Sequence, residues 1–362
     1  MQDRRTILKA LGAAAALAPA GAARPQPAPG RKQWRVGGKR VKTVDIHAHV
    51  APDMSEVIGD TPFQARSRGL NPALYAALQV NDARVAAMDQ QGIDVEVLSV
   101  NPFWYEMDRD LAARFIDRQN AKLSQTVQAY PGRFYAYASV AMQFPELAAS
   151  QLAAALRRPG IRGVSLGCTI AGEELASPRF DPFWKACQDL DALVFLHPQD
   201  SARVTGITKR VEGGGSLGNV IGNPLETTIA LSHMIFQGTF DRFPNLRICG
   251  AHGGGYLPSY VDRSDWGCAA NPQTCPATDP PPKKKPSEYM KQIYVDTLVF
   301  TPEATRHLAA VVGPRRMMIG TDSPIPWLKT PIETVLATPG LTDADKVAIL
   351  GGTACGLLNI PT

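Results

Sequence analysis

From residue 43 to the end of the chain, short β-branched runs alternate with stretches of helical periodicity, and this alternation restricts the fold more than any other feature. The runs occupy 43–50, 95–100, 134–140, 162–167, 193–198, 247–252, 293–297 and 317–322. Amphipathic stretches lie between them, such as NDARVAAMDQQG at 81–92, where Asn81 is expected to cap a helix and Gly92 to end it. Apolar strands that each lead into a helix are what a parallel sheet buried on both faces requires. Eight such units predict a (β/α)8 barrel of the TIM type. An open doubly wound sheet would need a glycine-rich phosphate turn after its first strand, and the sequence has none there. No repeat of 20–50 residues points to a solenoid.

The residues before 43 follow other rules. Arg4 and Arg5 precede an alanine-rich apolar run too short to span a bilayer, and Ala20, Gly21 and Ala22 form a small-residue cleavage site. Segment 1–22 is expected to be a signal peptide, with RRTILK similar to the twin-arginine export motif, so export machinery is an expected partner and the periplasm the expected location. Segment 23–42, rich in Pro, Gly and Arg, reads as a linker or wrapped arm, and 43–362 as the barrel. The net charge of +5 falls once Asp3, Arg4, Arg5 and Lys9 are removed, and no basic stripe marks a nucleic-acid partner. Nothing suggests an integral membrane protein. Of the six cysteines, Cys168, Cys187, Cys249 and Cys355 sit in apolar patterns and are expected in the core. Cys268 and Cys275 flank AANPQT in a proline-rich loop and are expected to pair if the chain is exported.

Catalytic groups in β/α barrels sit at the C-terminal ends of strands. His47 and His49 fall at the end of the first strand, His197 at the fifth, His252 at the sixth and Asp322 at the eighth. His233 and His307 fall in helical patterns on the outer ring. Strict alternation puts Asp45, His47 and His49 on one face of the first strand, where three polar groups need a shared partner. Imidazoles and a carboxylate converging on a barrel mouth suit one divalent ion, zinc or alternatively manganese, held by His47, His49, His197 and Asp322. The fourth strand ends VSLGCT, without the lysine that bridges two metals in related barrels, so a single ion is expected. His252 is then left as an acid/base group. Gly253, Gly254 and Gly255 would let the backbone approach a ligand closely. Asp45 would orient a histidine or cap backbone, Asp296 would contact substrate, orient His252 or cap the barrel rim, and Trp104 with Phe103 would wall an aromatic substrate or pack the core.

The segments VDIHAHV, NDARVAAMDQQGIDVEVLS, VFLHP, the long run NPLETTIALSHMIFQGTFDRFPNLRICGAHGGGYLP, YVDTLV and MMIGTDSPIP follow one another as in the amidohydrolase-related family. The chain resembles its branch of 2-amino-3-carboxymuconate-6-semialdehyde decarboxylase-like metal-dependent enzymes from residue 43 onward. The resemblance implies a mononuclear zinc-type barrel, often a homodimer, that cleaves a C–C bond without oxidation. It carries His47, His49, His197 and Asp322 over as ligands and His252 as acid/base, with Asp322 as the alternative proton carrier. Two arginines hold the carboxylates in that branch. Arg263 in YVDRSDWG matches the one supplied by the adjacent subunit, while Arg66 or Arg68 in QARSRGL is a loose counterpart of the other. The expected function is removal of carbon dioxide from an unsaturated or aromatic carboxylic acid, a small molecule. The alternatives are metal-dependent hydrolysis of a lactone, ester or amide, and simple metal or ligand binding.

Overall fold

The computed structural model describes residues 30–68, 72–199, 208–275, 282–327 and 331–362. All eight anticipated strands form: β1 (Val44–His49), β2 (Val95–Ser99), β3 (Phe134–Ala138), β4 (Ile161–Gly167), β5 (Leu193–His197), β6 (Arg247–Gly250), β7 (Ile293–Asp296) and β8 (Met317–Met318). They pair in parallel, each with its neighbours in sequence. Bridges Asp45–Ile319 and Ala48–Ser323 join the last strand to the first, closing the barrel. The intervening helices are α1 (Asp82–Gln91), α2 (Arg109–Ala129), α3 (Pro145–Ala155), α4 (Asp181–Asp189), α5 (Asn223–Phe236), α6 (Leu257–Ala270) and α7 (Pro302–Val312), with α8 (Pro331–Ala337) and α9 (Thr353–Leu358) after β8.

The helix signals act as expected. Asn81 accepts from Arg84 N at 3.0 Å, and Gly92 ends α1 in the left-handed region at φ 74°, a conformation glycine adopts without steric cost. A larger apolar layer packs the outer strand faces on the helices, and a smaller one fills the barrel interior. Within the interior, Tyr137 stacks on Phe195 with ring centroids 5.4 Å apart, and its Oη donates to Ile46 O at 3.2 Å. His233 and His307 lie on α5 and α7, and the four core cysteines are buried. Cys268 and Cys275 are bonded to each other.

Two readings change. Part of the segment read as a linker or wrapped arm is an antiparallel hairpin, Trp34–Val36 with Lys39–Val41. It is fastened by Trp34 Nε1 to Gln91 O at 3.0 Å and by Arg31 and Arg40 to Asp94, both at 2.8 Å. The signal segment lies outside the described residues. The strict alternation of β1 also fails. Asp45 pairs with Glu96 and Ala48 with Leu98, so β1 spends one more residue than β2 over the same span. That extra residue is a β-bulge, which re-aims side chains. Ile46 and His47 then both turn inward, Ile46 into the interior cluster and His47 onto Phe195 at 5.0 Å between centroids. Asp45 turns outward beside Glu96, whose carboxylate receives Arg84 Nε from α1 at 2.7 Å.

Candidate active site

The bulge in β1 delivers His47 and His49 to the barrel mouth together with His197 from the end of β5 and Asp322 from the loop after β8. One ligand-type atom from each lies within 4.8 Å of all the others, and all four residues are buried. His49 Nε2 stands 2.7 Å from Asp322 Oδ1 and His47 Nε2 stands 3.4 Å from the same oxygen. His49 and His197 rings approach to 4.6 Å, edge to face. Neither His47 Nε2 nor His197 Nδ1, both buried, has a hydrogen-bond partner. Orphaned buried imidazole nitrogens are costly unless something binds them. Together with the carboxylate they make a donor set that fits a zinc- or manganese-type divalent ion.

Asp296 sets the first of these ligand-type groups. Its Oδ2 is 2.7 Å from His47 Nδ1, and its two oxygens also receive the backbone N–H groups of His252, Gly253 and Leu298 at 3.0, 2.8 and 3.1 Å. A carboxylate on Nδ1 leaves Nε2 facing the site. Asp296 therefore supports His47 from below; it is fully buried and does not line the cavity, which corrects its reading as a substrate contact. Asp45 takes the bland option: its Oδ1 accepts from His47 N at 3.0 Å and Thr321 N at 3.2 Å, tying β1 to the strand-eight loop.

Burial would lower His47, but the carboxylates of Asp296 and Asp322 raise it to about 10. Burial would raise Asp322, but the His47 and His49 imidazoles beside it hold it well below the usual carboxylate range. Burial lowers both His49 and His197, the latter strongly. The same cause, with the charge on His47 second, brings His252 down to about 4.

His252 stands beside this cluster, its ring 5.2 Å from His47 and 5.3 Å from His197, and its buried Nδ1 has no partner. Its backbone is left-handed at φ 54°, a conformation that persists in a non-glycine residue only where surroundings enforce it. The Asp296 carboxylate under two successive N–H groups supplies that enforcement. The glycines that follow serve the same turn. A Cβ at Gly255 would lie 2.2 Å from Pro224 O, and one at Gly253 2.6 Å from Val299 Cγ1.

A cavity of about 660 Å³ opens above the cluster. His49, His197 and Asp322 form its floor, Leu74 and Phe103 part of its apolar wall. Arg66 is the one cationic side chain lining it among the described residues, and it pairs with Glu106. The Arg68 side chain lies outside the described residues. Arg263 is exposed on α6 and does not line the cavity of its own chain. Trp104 does not reach it either: the ring is fully buried and Nε1 donates to Val140 O at 2.9 Å, so the expected contact is core packing and its neighbour Phe103 takes the wall.

Sequence reading missed Gln199, which lines the cavity two residues after His197. Gly167, the register partner of His197, leaves room for it: a Cβ there would meet Gln199 Oε1 at 2.4 Å. The Gln199 carboxamide thus fills the corner where a strand-four side chain would enter. The parity of Gln199 with His197 was the available signal, since alternate residues share a strand face.

A family model described as amidohydrolase matches residues 44–360. The 2-amino-3-carboxymuconate-6-semialdehyde decarboxylase of Dictyostelium discoideum is 31% identical over 282 residues, 77% of this chain and 76% of that protein. The structure of 5-carboxyvanillate decarboxylase from Sphingomonas paucimobilis matches with a TM-score of 0.78 at 23% identity, over 89% of this chain and 100% of its own. A dihydroxybenzoic acid decarboxylase from Polaromonas sp. JS666, solved with bound manganese and the inhibitor 2-nitroresorcinol, matches with a TM-score of 0.73 at 25% identity, over 88% and 97% of the two chains.

Proposed function

The chain belongs to the amidohydrolase family, and on that footing we propose that it is a mononuclear metal-dependent decarboxylase of an aromatic or unsaturated carboxylic acid. The observation that carries the reading is the convergence of His47, His49, His197 and Asp322 beneath the cavity, with His252 beside them. The similar proteins named above are decarboxylases of such acids, which favours C–C cleavage over hydrolysis. Those four residues would hold the ion, zinc or manganese, which when bound would act as a Lewis acid stabilising charge that develops on substrate oxygens. The closed corner at Gly167 and Gln199 supports one ion rather than two.

The chain's own groups do the rest. Arg66 offers a cation to a substrate carboxylate, and the apolar wall excludes water from the reacting carbon. His252 is uncharged at neutral pH because burial lowers it, so one ring nitrogen can accept a proton while the other gives one. It hands the proton on one ring nitrogen to the carbon that bears the carboxylate while the other nitrogen takes one from solvent, so the ring ends the step neutral. The bond to the carboxylate then breaks, its electron pair stays on the carbon skeleton and carbon dioxide leaves. Arg263 would serve a carboxylate only from a second copy, and a homodimer is part of the proposal. So is export: the paired Arg4 and Arg5 and the Cys268–Cys275 bond both suit an oxidising compartment reached by the twin-arginine route, and retention of the double Lys variant in the cytoplasm tests it.

A panel of hydroxybenzoates, unsaturated dicarboxylates, lactones and amides, assayed in parallel for carbon dioxide and for acid released, tests the activity. Carbon dioxide from at least one carboxylate, abolished by chelation and restored by zinc or manganese, is expected. Acid release from lactones or amides without carbon dioxide from any carboxylate overturns the proposal.

A further inference from the structure

We propose that Trp327 is a positioning residue for Asp322, committing one carboxylate oxygen to the protein so that the other alone is offered to a metal ion. This rests on the metal-site reading above and goes beyond it. Trp327 Nε1 donates to Asp322 Oδ2 at 2.7 Å, while Oδ1 faces His49 Nε2 at 2.7 Å and His47 Nε2 at 3.4 Å. The two oxygens are therefore divided between the indole and the imidazoles.

Hydrophobic burial does not explain this indole. Trp327 is 37% exposed, and its ring meets the edge of Phe300, itself 46% exposed, at 6.3 Å between centroids. Trp34, Trp104 and Trp184 give their N–H groups to the backbone carbonyls of Gln91, Val140 and Leu175, and Trp266 is 75% exposed. Among the described residues, Trp327 is the tryptophan bonded to a carboxylate.

A hydrogen bond to an ionised acceptor is shorter and stronger than a neutral one. Here it fixes the rotamer of a residue whose own backbone is left-handed at φ 61°, so the carboxylate cannot swing to chelate with both oxygens without losing its donor.

Trp327→Phe removes the N–H and keeps an aromatic ring. Zinc affinity of the metal-free protein, measured by competition with a chromophoric chelator, is expected to fall about 10- to 100-fold in this variant, the usual effect of losing a hydrogen bond behind a ligand. In the wild-type protein with 15N-labelled indoles, the Nε1–H resonance that the variant lacks is expected to shift on addition of zinc more than those of Trp34, Trp104, Trp184 and Trp266. Wild-type zinc affinity in Trp327→Phe overturns the proposal, as does an unmoved Trp327 resonance in the wild type, whatever the variant does. A wild type that binds no zinc or manganese overturns the metal-site reading as well, so the two failures are told apart.

Discussion

At the residue scale, the candidate site divides into groups whose types announce their chemistry and groups whose role depends on contact. His47, His49, His197, His252 and Asp322 were readable because four histidines and an aspartate at strand ends of a barrel have few uses. The contact of Asp296 with His47 and the place of Trp327 were not. The first spans 249 residues of sequence, and Trp327 lies five residues beyond Asp322 in a loop with no periodicity to place its ring. His252→Ala is predicted to keep the fold and the metal while lowering turnover about 10²- to 10⁴-fold, the contribution of a positioned acid/base. The loss should fall on kcat more than on KM, because a proton in flight is stabilised in the transition state. Steady-state kinetics alongside metal analysis checks this, and unchanged turnover would demote the residue to a turn former. A second consequence concerns His47. Raised to about 10 between Asp296 and Asp322, it carries a proton at pH 7 that a bound ion must displace, whereas His49 and His197, lowered by burial, carry none. Metal binding should therefore release about one proton per ion at pH 7, and apparent affinity should rise with pH by up to tenfold per unit until about pH 10. Calorimetric titrations in buffers of different ionisation enthalpy measure that proton; no buffer dependence would contradict the arrangement. Asp296→Asn, which removes the stronger partner, should diminish the release.

At the scale of elements, hydrophobic period located every strand and the caps of α1, since both depend on near neighbours in sequence. The bulge in β1 escaped because VDIHAH alternates perfectly on paper. Only the register against β2, set by the outer-face pairs Asp45–Glu96 and Ala48–Leu98, shows that one residue is extra and that His47 gains its inward aim from it. Gly167 was read for the lysine it lacks, while its positive role, making room for Gln199, required the partner strand. The cross-link between Cys268 and Cys275 closes the end of α6 onto the loop beyond it. Replacing both by Ser should cost about 2.5 kcal/mol, the chain-entropy value for so short a loop. Metal uptake should not change. Urea denaturation of the oxidised protein against the double variant measures the difference, and a loss of metal on removing the bond would mean that α6 supports the site.

For the whole molecule, barrel topology explains why residues so far apart in the chain share one floor: parallel strands point their C-terminal ends the same way, and loops from β1, β5, β6 and β8 converge there. Among the described residues no helix is long and apolar enough to cross a membrane. The outer layer of apolar packing holds the helices, and the interior layer, with Phe195 and Tyr137, holds the histidines up from beneath. Everything proposed for the cavity depends on one ion sitting among four side chains. The direct test is elemental analysis of the purified mature protein, beside His47→Ala and Asp322→Ala. About one divalent ion per chain in the wild type, lost from both variants while far-UV circular dichroism stays the same, is the predicted result. Two ions per chain, or the same content in all three proteins, would contradict it.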